Sequence, residues 1–151
     1  MEIKILTCDD ELWTKTASYA ESCSWRAGAN LANLMKMNKF SDWERVFVAM
    51  TDNNIAGYCA LLKKDCLPIA EYTPYISFIF VGEPYRGHKI SEKLCLAAIH
   101  YAQLLGFDKV YLVSDHTNLY EKYGFIEIDK KVASWGAMQT VFMRSTMNIL
   151  H

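Results

Sequence analysis

VGEPYRGHKISEKL, residues 81–94, follows an uncharged apolar run and leads into a helical pattern, with two glycines and an Arg-His-Lys cluster between them. A turn that opens a helix gathers unpaired backbone N–H groups at the positive end of the helix dipole, which favours a bound anion. Arg86 and Lys89 add charge of the matching sign. Ser91 is placed to cap the helix, to contact a phosphate, or to do both. The alternative is an ordinary strand-to-helix turn whose basic residues are merely solvated.

Spacing argues against two familiar phosphate sites. Gly82 and Gly87 are separated by four residues, as in G-x-x-x-x-G-K-[ST], but His88, Lys89 and Ile90 follow. No hydroxyl stands where a P-loop holds magnesium, and the run LVSDH supplies a lone Asp115 as the second ligand. The dinucleotide pattern G-x-G-x-x-G is absent.

Working outward, YISFIFV (75–81) is aromatic and β-branched without a charge, which predicts a strand buried on both faces. Downstream, Ile90, Leu94, Ala97, Ala98, Tyr101, Leu104 and Leu105 mark the apolar stripe of a helix over 90–105, with Gly106 as its stop. FDKVYLV (107–113) reads as the next strand. Together these segments predict a right-handed βαβ unit with two parallel strands. Upstream, VFVAM (46–50) and IAGYCALL (55–62) flank Thr-Asp-Asn-Asn, a hairpin signal. EIKIL (2–6) alternates as a first strand. Asp9 or Asp10 is placed to cap a helix to about Ser22, and a further helix spans about 26–37. TNLYEKYG (117–124) reads as a compact helix. FIEI (125–128) and QTVFMRS (139–145) close the fold around a turn containing Ser134, Trp135 and Gly136. The order predicts an α/β, or α+β, mixed sheet with helices on both faces.

Bulk properties agree with this outline. The chain has 151 residues, 52% hydrophobic and 22% charged, enough for one core, and no repeat or linker divides residues 1–151 into more than a single domain. A net charge of −1 offers no general attraction for nucleic acid or an anionic membrane. The start MEIKILTCDDELW lacks a signal-peptide pattern, and no run approaches a membrane span. A cytoplasmic protein is expected. Cys8, Cys23, Cys59, Cys66 and Cys95 are then reduced thiols, mostly small apolar filler. His88, His100, His116 and His151 show no ligand spacing, so no metal is expected.

VGEPYRGHKIS resembles the acetyl-CoA pyrophosphate loop of the GNAT superfamily of N-acetyltransferases, in which a strand-ending Val is followed, after four residues, by Arg/Gln-x-x-Gly-x-Gly/Ala. Val81 and Arg86 match, while Lys89 and Ser91 depart from the two small positions. An exposed helix start need not demand a left-handed backbone at 89; if it did, Lys would cost about 1–2 kcal/mol. A second motif stands at the expected distance: NLYEKYGF (118–125) is similar to the family's Asn…Tyr-Glu-x-x-Gly-Phe segment. The resemblance covers about 46–145.

The resemblance implies a GNAT-type acyl-CoA N-acyltransferase fold and an acyltransferase using acetyl-CoA as co-substrate. In this family the fourth and fifth strands splay, and the pantetheine arm lies between them. Main-chain groups of Ile79, Phe80 and Val81 would pair with that arm, and amides of Arg86, Gly87, His88, Lys89, Ile90 and Ser91 would hold the pyrophosphate. A backbone N–H near the strand bulge, from Val81, would polarise the thioester carbonyl. Tyr120 matches the general acid, and Asn118 is a candidate pantetheine contact against a simple cap. Tyr123 and Phe125 read as core. For the base, 75–81 holds no carboxylate; Asp115 and His116 end the fifth strand, with Glu71, Glu83 or a water chain as further options. The expected reaction moves acetyl to a primary amine by direct attack in a ternary complex. The acceptor wall is expected on the N-terminal helices, which carry Trp13, Trp25 and Arg26 and no acidic run, pointing to a small-molecule amine. The protein is expected to be a monomer or homodimer. A protein amine as acceptor and a non-catalytic acyl-CoA-binding module are the alternatives.

Overall fold

At the Thr51–Asn54 turn, Asp52 and Asn53 both adopt positive φ (50° and 66°), the twist a tight hairpin requires. In the computed structural model of the protein, which describes residues 1–65, 72–116, 118–133 and 135–147, this turn joins β2 (Arg45–Thr51) to β3 (Asn54–Leu62). The remaining elements are β1 (Glu2–Leu6), α1 (Glu11–Ser22), α2 (Gly28–Lys36), β4 (Tyr75–Val81), α3 (Ile90–Leu104), β5 (Lys109–Ser114), β6 (Ile126–Val132) and β7 (Met138–Ser145). Short 3₁₀ turns cover Glu83–Tyr85 and Tyr120–Tyr123. The element order matches the sequence reading. The compact helix expected at 117–124 is instead the four-residue turn Tyr120–Tyr123, closed by Gly124 at φ 91°; Thr117 lies outside the described residues.

The strands form one mixed sheet in the order β1-β2-β3-β4-β5-β7-β6. All neighbours are antiparallel except β4 and β5. On one face, α3 lays Leu94, Cys95, Ala98, Ile99 and Ala102 onto Phe47, Cys59, Leu61, Ile76, Val110 and Leu112. On the other, α1 and α2 bring Ala17, Ala20, Leu31 and Met35 against Val46, Val48, Tyr58 and Ala60. Alternate strand residues therefore feed two cores. The buried face of α3 is turned from the expected stripe: Cys95, Ile99 and Ala102 are buried, whereas Leu104 and Leu105 are 72% and 40% exposed at its last turn. Asp10 is the residue before α1, but its carboxylate turns back to accept from the Thr7 N–H (2.7 Å) rather than from helix amides. Among the described cysteines Cys59 and Cys95 are buried filler, while Cys8 is exposed.

The parallel pair positions the site. Tyr75↔Tyr111 is its sole register pair, reinforced by Tyr111 N–H donating to Pro74 O at 2.9 Å. Beyond that point the strands part, while β5 and β7 stay paired from Lys109↔Ser145 to Ser114↔Thr140. On its other side β4 keeps close to β3: a Cβ added at Gly57 would sit 2.5 Å from Phe80 O. The splay corrects one expectation, because Phe78, Ile79 and Val81 are only partly buried. No helix among the described residues is long and apolar enough to cross a membrane.

Candidate active site

β4 carries a bulge where it faces the gap. Its register with β3 shifts between Tyr58↔Phe80 and Ala60↔Ser77, and Phe78 between them has φ 56°. A left-handed conformation costs a bulky residue about 1–2 kcal/mol, strain of the kind that collects at functional sites. Beyond the bulge, alternation resumes. Gly82 N–H donates to Ala56 O at 2.8 Å, so Gly82 and Phe80 direct their main chain toward β3. Ile79 and Val81 therefore direct theirs into the gap, and Val81 O accepts from Arg86 Nε at 2.9 Å. Of the three residues expected to offer main-chain groups, Phe80 offers a ring instead.

The gap widens into a cavity of about 1070 Å³ that is lined from both faces of the sheet. Toward α3 it is lined by Arg86, Ser91, Leu119 and Tyr120; at the end of β5 by Ser114, Asp115 and His116; toward α1 and α2 by Trp25, Asn30 and Phe78. Ile79, Phe80 and Val81 form its β4 wall.

At the α3 end, Gly87 (φ 87°) and Lys89 (φ 61°, ψ 26°) both take left-handed backbones, and Lys89 is the residue before the helix. The turn at 89 therefore does require the conformation that sequence reading left optional, at the cost a small residue would avoid. His88 and Lys89 are exposed, and Ile90 is buried under the first turn. Ser91 does not cap the helix: its hydroxyl lies 2.7 Å from that of Tyr123. Tyr123 is thus partly buried with a hydroxyl contact rather than plain core, whereas Phe125 is buried. Arg86 also approaches Glu83 (3.6 Å) and lies over the Phe80 ring (5.7 Å).

Tyr120 packs among Tyr123, Phe125 and Phe142 with ring centroids 5.9–6.3 Å away. Its hydroxyl makes no hydrogen bond among the described residues. Burial pushes its pKa well above the usual tyrosine value, helped by nearby Cys95, Tyr123, Cys59 and Asp115. His116 stands edge-on to Tyr120 at 6.4 Å; its main-chain N–H donates to Ser114 Oγ (3.0 Å), and its Nδ1 lies 3.1 Å from the same oxygen. Asn118 is exposed at φ 61° and does not line the cavity. Glu83 is exposed, accepting from Ser24 Oγ at 2.7 Å, and does not line it either. Glu71 lies outside the described residues.

The acceptor side differs from expectation in its residues. Trp13 is buried, donating Nε1–H to Met35 O at 3.1 Å and packing edge-on to Phe40, so it is core. Arg26 is exposed and off the cavity. Trp25 is the tryptophan of this pair that lines it, stacked on Phe80 with centroids 6.0 Å apart. Sequence reasoning missed Asp65, Ser77 and Gln139. Ser77 Oγ donates to Asp65 Oδ2, and all three residues line the cavity. Among the described residues no group of three His, Cys, Asp or Glu side chains is arranged to hold a metal ion.

Residues 7–125 match the acetyltransferase (GNAT) family. Among solved structures, an aminoglycoside 6'-N-acetyltransferase complexed with coenzyme A aligns at TM-score 0.74 with 12% identity, over 97% of this chain and 98% of that one. A spermidine N-acetyltransferase chimera from Vibrio cholerae SpeG and hSSAT aligns at 0.69 and 16% identity over 99% and 98%. Nourseothricin acetyltransferase aligns at 0.56 and 19% over 68% of this chain, which spans 65% of that protein. No curated protein sequence is significantly similar to the chain.

Proposed function

The chain belongs to the GNAT family of acetyl-CoA-dependent N-acetyltransferases, and from that premise we propose that it moves acetyl from acetyl-CoA to a primary amine of a small molecule by direct attack in a ternary complex. The observation that carries this reading is the gap between β4 and β5. It joins a basic, amide-rich helix start on one side of the sheet to an aromatic chamber on the other. Two substrates entering from opposite faces meet at the bulge.

The residues present fit the co-substrate. Amides of residues 86–91, the α3 dipole and the Arg86 guanidinium hold the pyrophosphate. Main-chain groups of Ile79 and Val81 pair with the pantetheine arm as an added strand would. The thioester supplies the activated acetyl group. The Val81 N–H, with that of Ile79 beside the bulge, donates to the carbonyl oxygen as negative charge builds there.

Formation of the C–N bond and loss of the C–S bond require a proton to leave the amine and one to reach sulfur. Tyr120 serves the sulfur. At reference values a tyrosine proton moves to a thiolate about 2 kcal/mol uphill, and burial raises that barrier further. Tyr120 therefore acts by donating a hydrogen bond to the departing thiolate, which then takes its proton from solvent. His116 drains the amine proton through Nε2, its Nδ1 lying 3.1 Å from Ser114 Oγ.

Thermal unfolding with acetyl-CoA, free CoA and ATP–magnesium tests the co-substrate. A ligand at 100 times its dissociation constant adds about 2.7 kcal/mol. Stabilisation by acetyl-CoA and CoA but not by ATP–magnesium, followed by amine-dependent release of free thiol, is the expected result. Absence of a shift with acetyl-CoA sinks the proposal.

A further inference from the structure

We propose that Asp65, held by Ser77, is the specificity residue that receives a second positive charge on the acceptor, so that the acceptor is a di- or polycationic amine. This rests on the amine-acetylating reading above and names the substrate class it would take.

Asp65 lies in the segment after β3 and is bound to β4 across twelve residues by the Ser77 hydroxyl. Ser77 is 5% exposed, so a buried side chain fixes the carboxylate on the cavity wall. Facing the same chamber is Gln139 on β7. It is 9% exposed, and its carboxamide makes no hydrogen bond among the described residues. Its amide group faces the open chamber and offers both a donor and an acceptor to a bound ligand. Trp25, Phe78 and the exposed Trp135 complete the lining, offering aromatic faces suited to a hydrocarbon chain bearing cations. Lys64 stands beside Asp65 and is the nearest opposing charge in sequence.

The carboxylate's chemistry decides which nitrogen it serves. An ordinary carboxylate near pKa 3.9 is a weaker base than an alkylamine near 10.4 by about six orders of magnitude. Placed on the reacting nitrogen, it would stabilise the ammonium form, which cannot attack. Placed on a second nitrogen, the same charge anchors the substrate while the first nitrogen is free to lose its proton. Asp65 therefore acts as an anchor for the second nitrogen.

The test compares 1,4-diaminobutane with 1-aminopentane, equal in length and differing in the second cation. Their binding to the CoA-saturated protein is measured by titration calorimetry, and kcat and KM are measured alongside, for wild type, Asp65→Asn and Asp65→Glu. The wild type is expected to bind the diamine at least about tenfold more tightly, the range of a charge-assisted hydrogen bond. Asp65→Asn should abolish that preference through KM with kcat nearly unchanged, Asp65→Glu should restore part of it, and the acetyl-CoA thermal shift should be intact in all three. Equal binding of the two amines by wild type, or a preference that survives Asp65→Asn, overturns the proposal. So does an Asp65→Asn variant that loses turnover of both amines alike. Loss of the acetyl-CoA shift in wild type would instead strike at the transferase reading, so the two failures are distinguishable.

Discussion

The hydroxyls of Ser91 and Tyr123 stand 2.7 Å apart, linking the first turn of α3 to the 3₁₀ turn that carries Tyr120. The end proposed to bind phosphate and the residue proposed to serve the sulfur are thereby tied by one contact between segments 32 residues apart in sequence. Replacing Tyr123 with Phe removes the bond while keeping the ring packed beside Tyr120. The expected loss is about 0.5–1.5 kcal/mol of stability, the net value of a typical hydrogen bond. Urea unfolding measures it. Turnover should fall more in Tyr123→Phe than acetyl-CoA affinity does, because the ring that loses its tether to α3 is the neighbour of Tyr120.

Lys89 holds φ 61° directly before α3. Glycine adopts that backbone without the Cβ penalty, so Lys89→Gly should gain stability relative to Lys89→Ala, which keeps the strain, by about 1 kcal/mol. Comparing the two glycine and alanine variants cancels the lost charge. Equal midpoints in denaturant would show that the turn does not impose the left-handed conformation.

The protein's alkaline stability should carry the signature of buried tyrosines. Burial raises the pKa of both Tyr120 and Tyr58 above the ordinary value near 10. Below pH 10 both are neutral in the folded and unfolded chains, and their contribution is fully present. Above pH 10 the unfolded chain loses these protons while the folded chain keeps them, so stability falls as pH rises, by up to about 1.4 kcal/mol per pH unit for each group. Tyr120→Phe should flatten the slope of unfolding free energy between pH 10 and 11 by one group's share. The same variant should lower kcat by about 10²-fold with little change in acetyl-CoA affinity.

How much of this was legible in the chain depended on whether the signal was local. The hairpin at 51–54 and the helix stop at Gly106 follow from turn chemistry over a few residues. The loop proposed to hold the phosphate carries a local signal as well: in VGEPYRGHKIS, Val81 and Arg86 match the pattern of the family it resembles. What escaped was tertiary. Asp65 reaches Ser77 through a segment without periodicity, and Gln139 becomes a cavity residue because β5 leaves β4, which no pattern on β7 records. Trp13 and Trp25 look equivalent on paper, yet one meets Met35 O and becomes core while the other meets Phe80 and the chamber. Likewise, the α3 stripe is set by where the sheet ends, leaving Leu104 and Leu105 beyond it.

In the proposed assignment, Phe80 is where the two substrates' walls meet. Trp25, on the acceptor side, stacks on its ring with an interplanar angle of 2°, and the Arg86 guanidinium, on the cofactor side, lies 5.7 Å from the ring centre. Trp25→Ala should raise the acceptor's KM with acetyl-CoA affinity nearly unchanged. Arg86→Ala should weaken acetyl-CoA by about tenfold or more, the value of a charge-assisted contact to phosphate, and spare the acceptor. Phe80→Leu leaves the strand buried but removes the shared aromatic face, so it should raise both KM values together. Steady-state kinetics with each substrate varied in turn separates these patterns. If Phe80→Leu shifted one KM alone, the ring would belong to a single wall, and the two halves of the cavity would be energetically independent.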